Sequence, residues 1–91
     1  MLSLAIIKEC ACEVAGIDTK EWDNNTAELA ELRSVVVRWL YTYGMSEREI
    51  ARMLGWSQQR VNERKNCTKN SQRIKAIESA FASAMENRRQ A

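Results

Sequence analysis

Ser-Glu-Arg-Glu-Ile-Ala-Arg-Met-Leu-Gly-Trp-Ser-Gln-Gln-Arg-Val-Asn-Glu-Arg-Lys, residues 46–65, reads as two short helices meeting at a tight corner. Gly55 is the corner. Before it, Ile50, Ala51 and Leu54 make a narrow apolar stripe, and Ala51 is small enough for a second helix to cross closely. Ser46 with Glu49 three residues on forms a capping box, and Ser57 is placed to cap the second helix. The spacing Ile-Ala-x-x-Leu-Gly-x-Ser-x-x-x-Val, Ile50 to Val61, is that of a helix-turn-helix, whose second helix enters a DNA major groove. The same spacing also occurs in packed helix pairs that bind proteins, so the remaining chain has to decide.

Outward from the motif, the chain promises only helices. It has 91 residues, no proline and three glycines, and it lacks alternating strand-like runs. One all-α domain over residues 1–91 is expected, a compact bundle of about five helices around the central motif at 46–66. Leu4, Ile7, Ala11 and Val14 repeat at helical spacing until Gly16. Asp18 then caps a single turn that folds Trp22 inward as a core residue. Asn25 with Glu28 marks the start of a central helix, Ala27 to Tyr43, whose stripe is Leu29, Leu32, Val36, Trp39, Leu40 and Tyr43. Gly44 ends it, and Met45 packs back in front of the Ser46 cap. A last helix, capped by Asn70 or Ser71, carries Ile74, Ile77, Phe81, Ala84 and Met85 and ends near Asn87, leaving a mobile basic tail at 88–91.

Charge is divided unevenly along this order. Residues 1–45 hold four basic and seven acidic side chains, net −3, and residues 46–91 hold ten basic and five acidic, net +5. Positive charge has gathered on the half with the motif, as in a nucleic-acid binder. Leu2 to Ile7 is too short for a membrane span or signal core, so a soluble, cytoplasmic protein is expected. Cys10, Cys12 and Cys67, with no histidine in the chain, fit free thiols in a reducing compartment better than a metal site. With no histidine base, no clustered carboxylates and no Gly-rich phosphate loop, neither catalysis, cofactor, metal nor small-molecule substrate is expected.

With Val61 turned inward, a step of about 100° per residue points Gln59, Glu63 and Asn66 outward, flanked by Arg60 and Asn62. Amides pair bidentately with adenine and arginine with guanine, whereas Glu63 can only accept from cytosine. A solvated face would look similar. Trp56 is expected as a lid on the core. Arg64 sits where an apolar residue would be expected, so its stem covers the core or the helix frays there. The expected phosphate contacts are Ser46 and Arg48 at the first motif helix, and Arg64, Lys65, Lys69 and Arg73, with Lys75 beside them.

The order of elements resembles the C-terminal DNA-binding domain of the bacterial replication initiator DnaA, a Trp-repressor-like fold. The likeness spans nearly the whole chain. Cys12-Glu13-Val14-Ala15-Gly16-Ile17-Asp18 looks like that family's segment before its one-turn helix, and Arg33, Val36, Val37 and Leu40 look like its central helix. Ser46, Glu49, Ile50 and Gly55 match its Leu-Ser-x-x-Glu-Ile-Gly-x-x-(Phe)-Gly, with Ala51 in place of a glycine. By position, the resemblance gives base contacts to Ser57, Gln58 and Gln59. The family's Arg-Asp-His-Thr-Thr-Val is here Trp56-Ser57-Gln58-Gln59-Arg60-Val61, so only the valine is shared, and the basic loop before the central helix is replaced by Asn24 to Glu31. The resemblance implies a stand-alone double-stranded DNA-binding regulator of transcription or replication, of the kind a phage or mobile element carries. The competing expectation is a helical adaptor that docks a protein through Glu28 and Glu31. A homodimer would read two half-sites, but no heptad or spare apolar stripe names a dimer face.

Overall fold

The computed structural model describes residues 3–24, 26–66 and 72–90, and these form five α-helices and one 3₁₀ turn. The order is α1 (Leu4–Ala15), the 3₁₀ turn (Thr19–Glu21), α2 (Ala27–Tyr43), α3 (Glu47–Leu54), α4 (Gln58–Lys65) and α5 (Gln72–Gln90). The all-α bundle expected from the sequence is the fold. Among the described residues no helix is long and apolar enough to cross a membrane.

Helix α2 is the axis of the bundle, in contact with α1, α3, α4 and α5. Six consecutive residues, Leu32 to Val37, are therefore buried, because a helix surrounded on all sides has no solvent face at its middle. The expected stripe widens accordingly to take in Val35 and Val37. At its far end Tyr43 departs from the expected core role: it is 44% exposed and stacks on Trp39. Trp39 in turn meets Phe81 of α5 edge to face at 5.5 Å. Helix α5 lies across α1 and α2 and buries Ile74, Phe81 and Met85, while α1 contributes Ile7, Cys10, Ala11 and Cys12.

One device closes three helices. After α1, α2 and α3 a glycine with positive φ turns the chain, and the next residue's N–H returns to a carbonyl five positions back: Ile17 to Cys12, Met45 to Leu40 and Trp56 to Ala51. This is the Schellman arrangement, which is completed by an apolar residue after the glycine. Ile17, Met45 and Trp56 are those residues, and each packs against the core. At Gly55, φ is 71°, so the corner before α4 needs a residue without a Cβ.

The starts are set by side-chain caps. Ser3 accepts from Ile6 N–H, Asp18 from Lys20 N–H, Ser46 from Glu49 N–H and Ser57 from Arg60 N–H. The Ser46–Glu49 box is reciprocal, as the sequence predicts. The cap of α2 differs. Thr26, not Asn25, accepts from Leu29 N–H at 3.2 Å, one position later than the expected box with Glu28; Asn25 itself lies outside the described residues. At the other end α5 passes the expected stop near Asn87 and continues through residues 88–90, with Arg88 reaching Glu13 at 3.3 Å and Glu9 at 3.8 Å. Ala91 and the expected caps Asn70 and Ser71 lie outside the described residues.

Candidate nucleic-acid interface

Helix α4 is held by very little apolar surface. Val61 is its one buried residue, and α2 and α3 pack around that point. The rest of the helix is polar, so which way it faces is decided by side-chain bonds on its two flanks.

On the α3 flank, Glu47 gathers two residues of α4. Its carboxylate accepts from Asn62 Nδ2 at 3.2 and 3.3 Å and from Lys65 Nζ at 2.5 Å. Hydrogen bonds from Lys65 and then Asn62 hold the Glu47 carboxyl below its usual range, and the same pair raises Lys65. Lys65 also stands 4.3 Å from the Tyr41 ring centroid. Its charge is thus largely answered inside the molecule. Ser46 is committed too: its hydroxyl accepts from Glu49 N–H and bonds the Glu49 carboxylate at 3.1 Å. Of the phosphate contacts expected on this flank, Arg48 alone stands exposed with no partner among the described residues.

The α2 flank is different. Arg60 lays its guanidinium 4.1 Å from the centroid of the Trp56 ring, so Trp56 is at once a partly buried lid on the core and a platform for a cation. Arg64 is half-buried, and since α4 runs on to Lys65 the helix does not fray beneath it. Arg60 and Arg64 line a cleft of about 310 Å³ together with Arg33, Thr26, Ala27 and Ala30.

Arg33 is the residue that spacing did not reveal. It is 6% exposed, and its Nη2 donates to the carbonyls of Trp22 and Asn24, the latter at 2.9 Å. Burial first, then the like charge of Arg60, lowers its pKa from the usual guanidinium value. The hint in the sequence was an arginine, followed by Ser34, set between the apolar Leu32 and Val35 to Val37 of the central helix.

Between the flanks lies the outward face. Ser57, Gln58, Gln59, Arg60 and Asn62, the expected base contacts, are all exposed and all on or beside one helix of eight residues. They are not equally free. Ser57 caps Arg60 N–H at 3.1 Å, Gln59 Nε2 donates to Glu63 at 3.4 Å, and Asn62 bridges from Glu47 to Asn66. Gln58 has no partner among the described residues. Lys69 and Cys67 lie outside the described residues, as does the side chain of Arg73; Lys75 is exposed on the first turn of α5. Cys10 and Cys12 are free, buried and far from this face in role, and burial pushes both thiols up. No family model, curated protein or solved structure matches this chain.

Proposed function

We propose that this chain is a sequence-specific double-stranded DNA-binding protein without catalytic activity, a regulator of transcription or replication whose α4 enters the major groove. The observation that carries the reading is the exposed row of Gln58, Gln59 and Asn62 on a helix flanked by Arg48, Arg60 and Arg64. Amides suit base edges and the flanking guanidiniums suit the two phosphate backbones that border a groove. The likeness to the DnaA C-terminal domain points the same way.

The test is a titration of labelled random and selected duplexes by fluorescence anisotropy at several salt concentrations. If about four to six phosphates are neutralised, log K falls against log salt with a slope of about −4 to −5. Gln59→Ala should then erode discrimination between duplexes while leaving the slope in place. Absence of binding below ~100 μM on any duplex removes the reading, since non-specific binding alone does better than that.

A helical adaptor is the second reading, favoured by the exposed Tyr41 and Tyr43 at the end of α2 and by Glu63 in the middle of the polar face. Tyrosines of this kind anchor protein partners. Under that reading Tyr41→Ala abolishes function and Gln59→Ala does not.

A further inference from the structure

We propose that the cleft between the first turn of α2 and the outer edge of α4 is the seat of one backbone phosphate, gripped by Arg60 and Arg64 over a floor made by Arg33. The inference rests on the DNA-binding reading and fixes where the duplex is anchored.

Three guanidiniums converge on one cleft whose lining, among the described residues, contains no carboxylate. Like charges gathered this way repel one another, an arrangement that an incoming anion relieves. Arg33 donates from Nη2 to the carbonyls of Trp22 and Asn24, and the residue, only 6% exposed, also lines the cleft. Arg64 has no hydrogen bond or ion pair among the described residues, and Arg60 is steadied by the Trp56 ring rather than by an acid. Thr26 and Ala27 bring the first turn of α2 to the same place, where backbone N–H groups of a 17-residue helix are left without intrahelical acceptors. The volume, about 310 Å³, holds roughly ten waters, enough for a phosphate group still partly hydrated.

The other flank of α4 cannot serve equally. There Glu47 answers Lys65 and Glu49 answers Ser46, so an arriving phosphate meets two carboxylates. Carboxylates also stand around the cleft: Glu28 on the first turn of α2, Glu31 in the neighbouring hollow with Arg64, and Asp23 acting on Arg33. They border it without entering its lining, and the guanidiniums are nearest to whatever occupies it. Arg60 is on this view a phosphate contact, not a reader of guanine.

The experiment compares Arg60→Gln, Arg64→Gln, the double variant and Arg64→Lys with the parent across a sodium chloride series, on a selected and a random duplex. Thermal unfolding first confirms that each variant folds. Each glutamine variant should weaken both duplexes about tenfold alike. The slope of log K against log salt should shrink by about 1, and by no more than about 1 in the double variant, because one phosphate is seated. Arg64→Lys should keep the slope. A double variant that binds with the full slope overturns the inference and leaves the DNA-binding reading standing. A parent that binds no duplex overturns both, and thermal protection of that parent by inorganic phosphate at matched ionic strength would assign the cleft to a free anion instead.

Discussion

Replacing Arg33 by methionine tests whether a buried guanidinium holds the entry to the central helix. Its Nη2 bonds two carbonyls of the segment between the 3₁₀ turn and α2, and its charge lies 5.8 Å from the Trp22 ring centroid. Hydrogen bonds from a charged donor contribute about 1.5–3 kcal/mol each, so the two together are worth roughly 3–6 kcal/mol before offsets. Two offsets apply. Methionine escapes the desolvation that depresses the arginine, and Asn24 is exposed, so its carbonyl can turn to water. The Trp22 carbonyl, beside a ring only 4% exposed, has less recourse. The net loss should be about 2–3 kcal/mol, a lowering of Tm by roughly 8–24 °C for a domain of this size. Urea unfolding followed by tryptophan fluorescence measures it, with the m-value expected to stay constant. Arg33→Lys should fall between, because an ammonium keeps the charge but not the two-pronged geometry. A methionine variant within ~0.5 kcal/mol of the parent, at unchanged m, would refute the argument.

Other perturbations follow from the same structure. Glu47 is held below the ordinary 4.5, so the stability it contributes is present above that pH and is lost as pH falls through the lower folded value; thermal melts between pH 3 and 7, on the order of the carboxylate range, should show Glu47→Gln with a flatter acid limb than the parent. Gly55→Ala forces a Cβ into φ +71° and should cost about 1–2 kcal/mol in a urea melt, even though nothing crowds the new methyl group. Phe81→Ala empties the contact with Trp39 and should cost about 3–5 kcal/mol by the same assay. Cys10 and Cys12 should react with a thiol reagent only as fast as the protein unfolds, and because burial raises both thiols their contribution to stability fades as pH rises past about 9.

What the sequence carried plainly was everything encoded by near neighbours. Caps lie two or three residues from the groups they satisfy, stripes recur every three or four, and glycine ends a helix wherever its φ is positive, so five helices and the Gly55 corner could be placed from spacing. The α2 start lies one residue later than expected because Asn24, Asn25 and Thr26 are all good caps, and spacing alone does not choose among them. Arg33 was hidden for another reason: its partners are main-chain oxygens nine and eleven residues away, which no side-chain pattern announces. The site was legible as a face but not as a set of roles. A helical wheel turns Arg60 and Asn62 outward, yet it cannot know that Trp56 lies within reach of one and Glu47 of the other.

Those two attachments explain how α4 can be a helix at all. Eight residues are too few for independent helicity, and burying Val61 supplies about 1.5–3 kcal/mol, less than the backbone entropy of fixing the segment. The remainder has to come from Ser57 at its start, from Glu47 holding Asn62 and Lys65 along one flank, and from Trp56 beneath Arg60 on the other. The Glu47 and Arg60 contacts are charged and open to solvent, so salt weakens both and acid weakens the Glu47 pair, far more than either touches the core. Helix α4 should therefore lose amide protection before α2 or α5 in native-state hydrogen exchange, and raising salt or acidifying below the Glu47 range should widen the gap. A duplex seated on Arg60 and Arg64 would close it again, because ordering the helix and binding the phosphate draw on the same guanidiniums. If exchange of the Val61 amide is as slow as that of Val36 in the free protein, α4 belongs to the core and its mobility has no part in recognition.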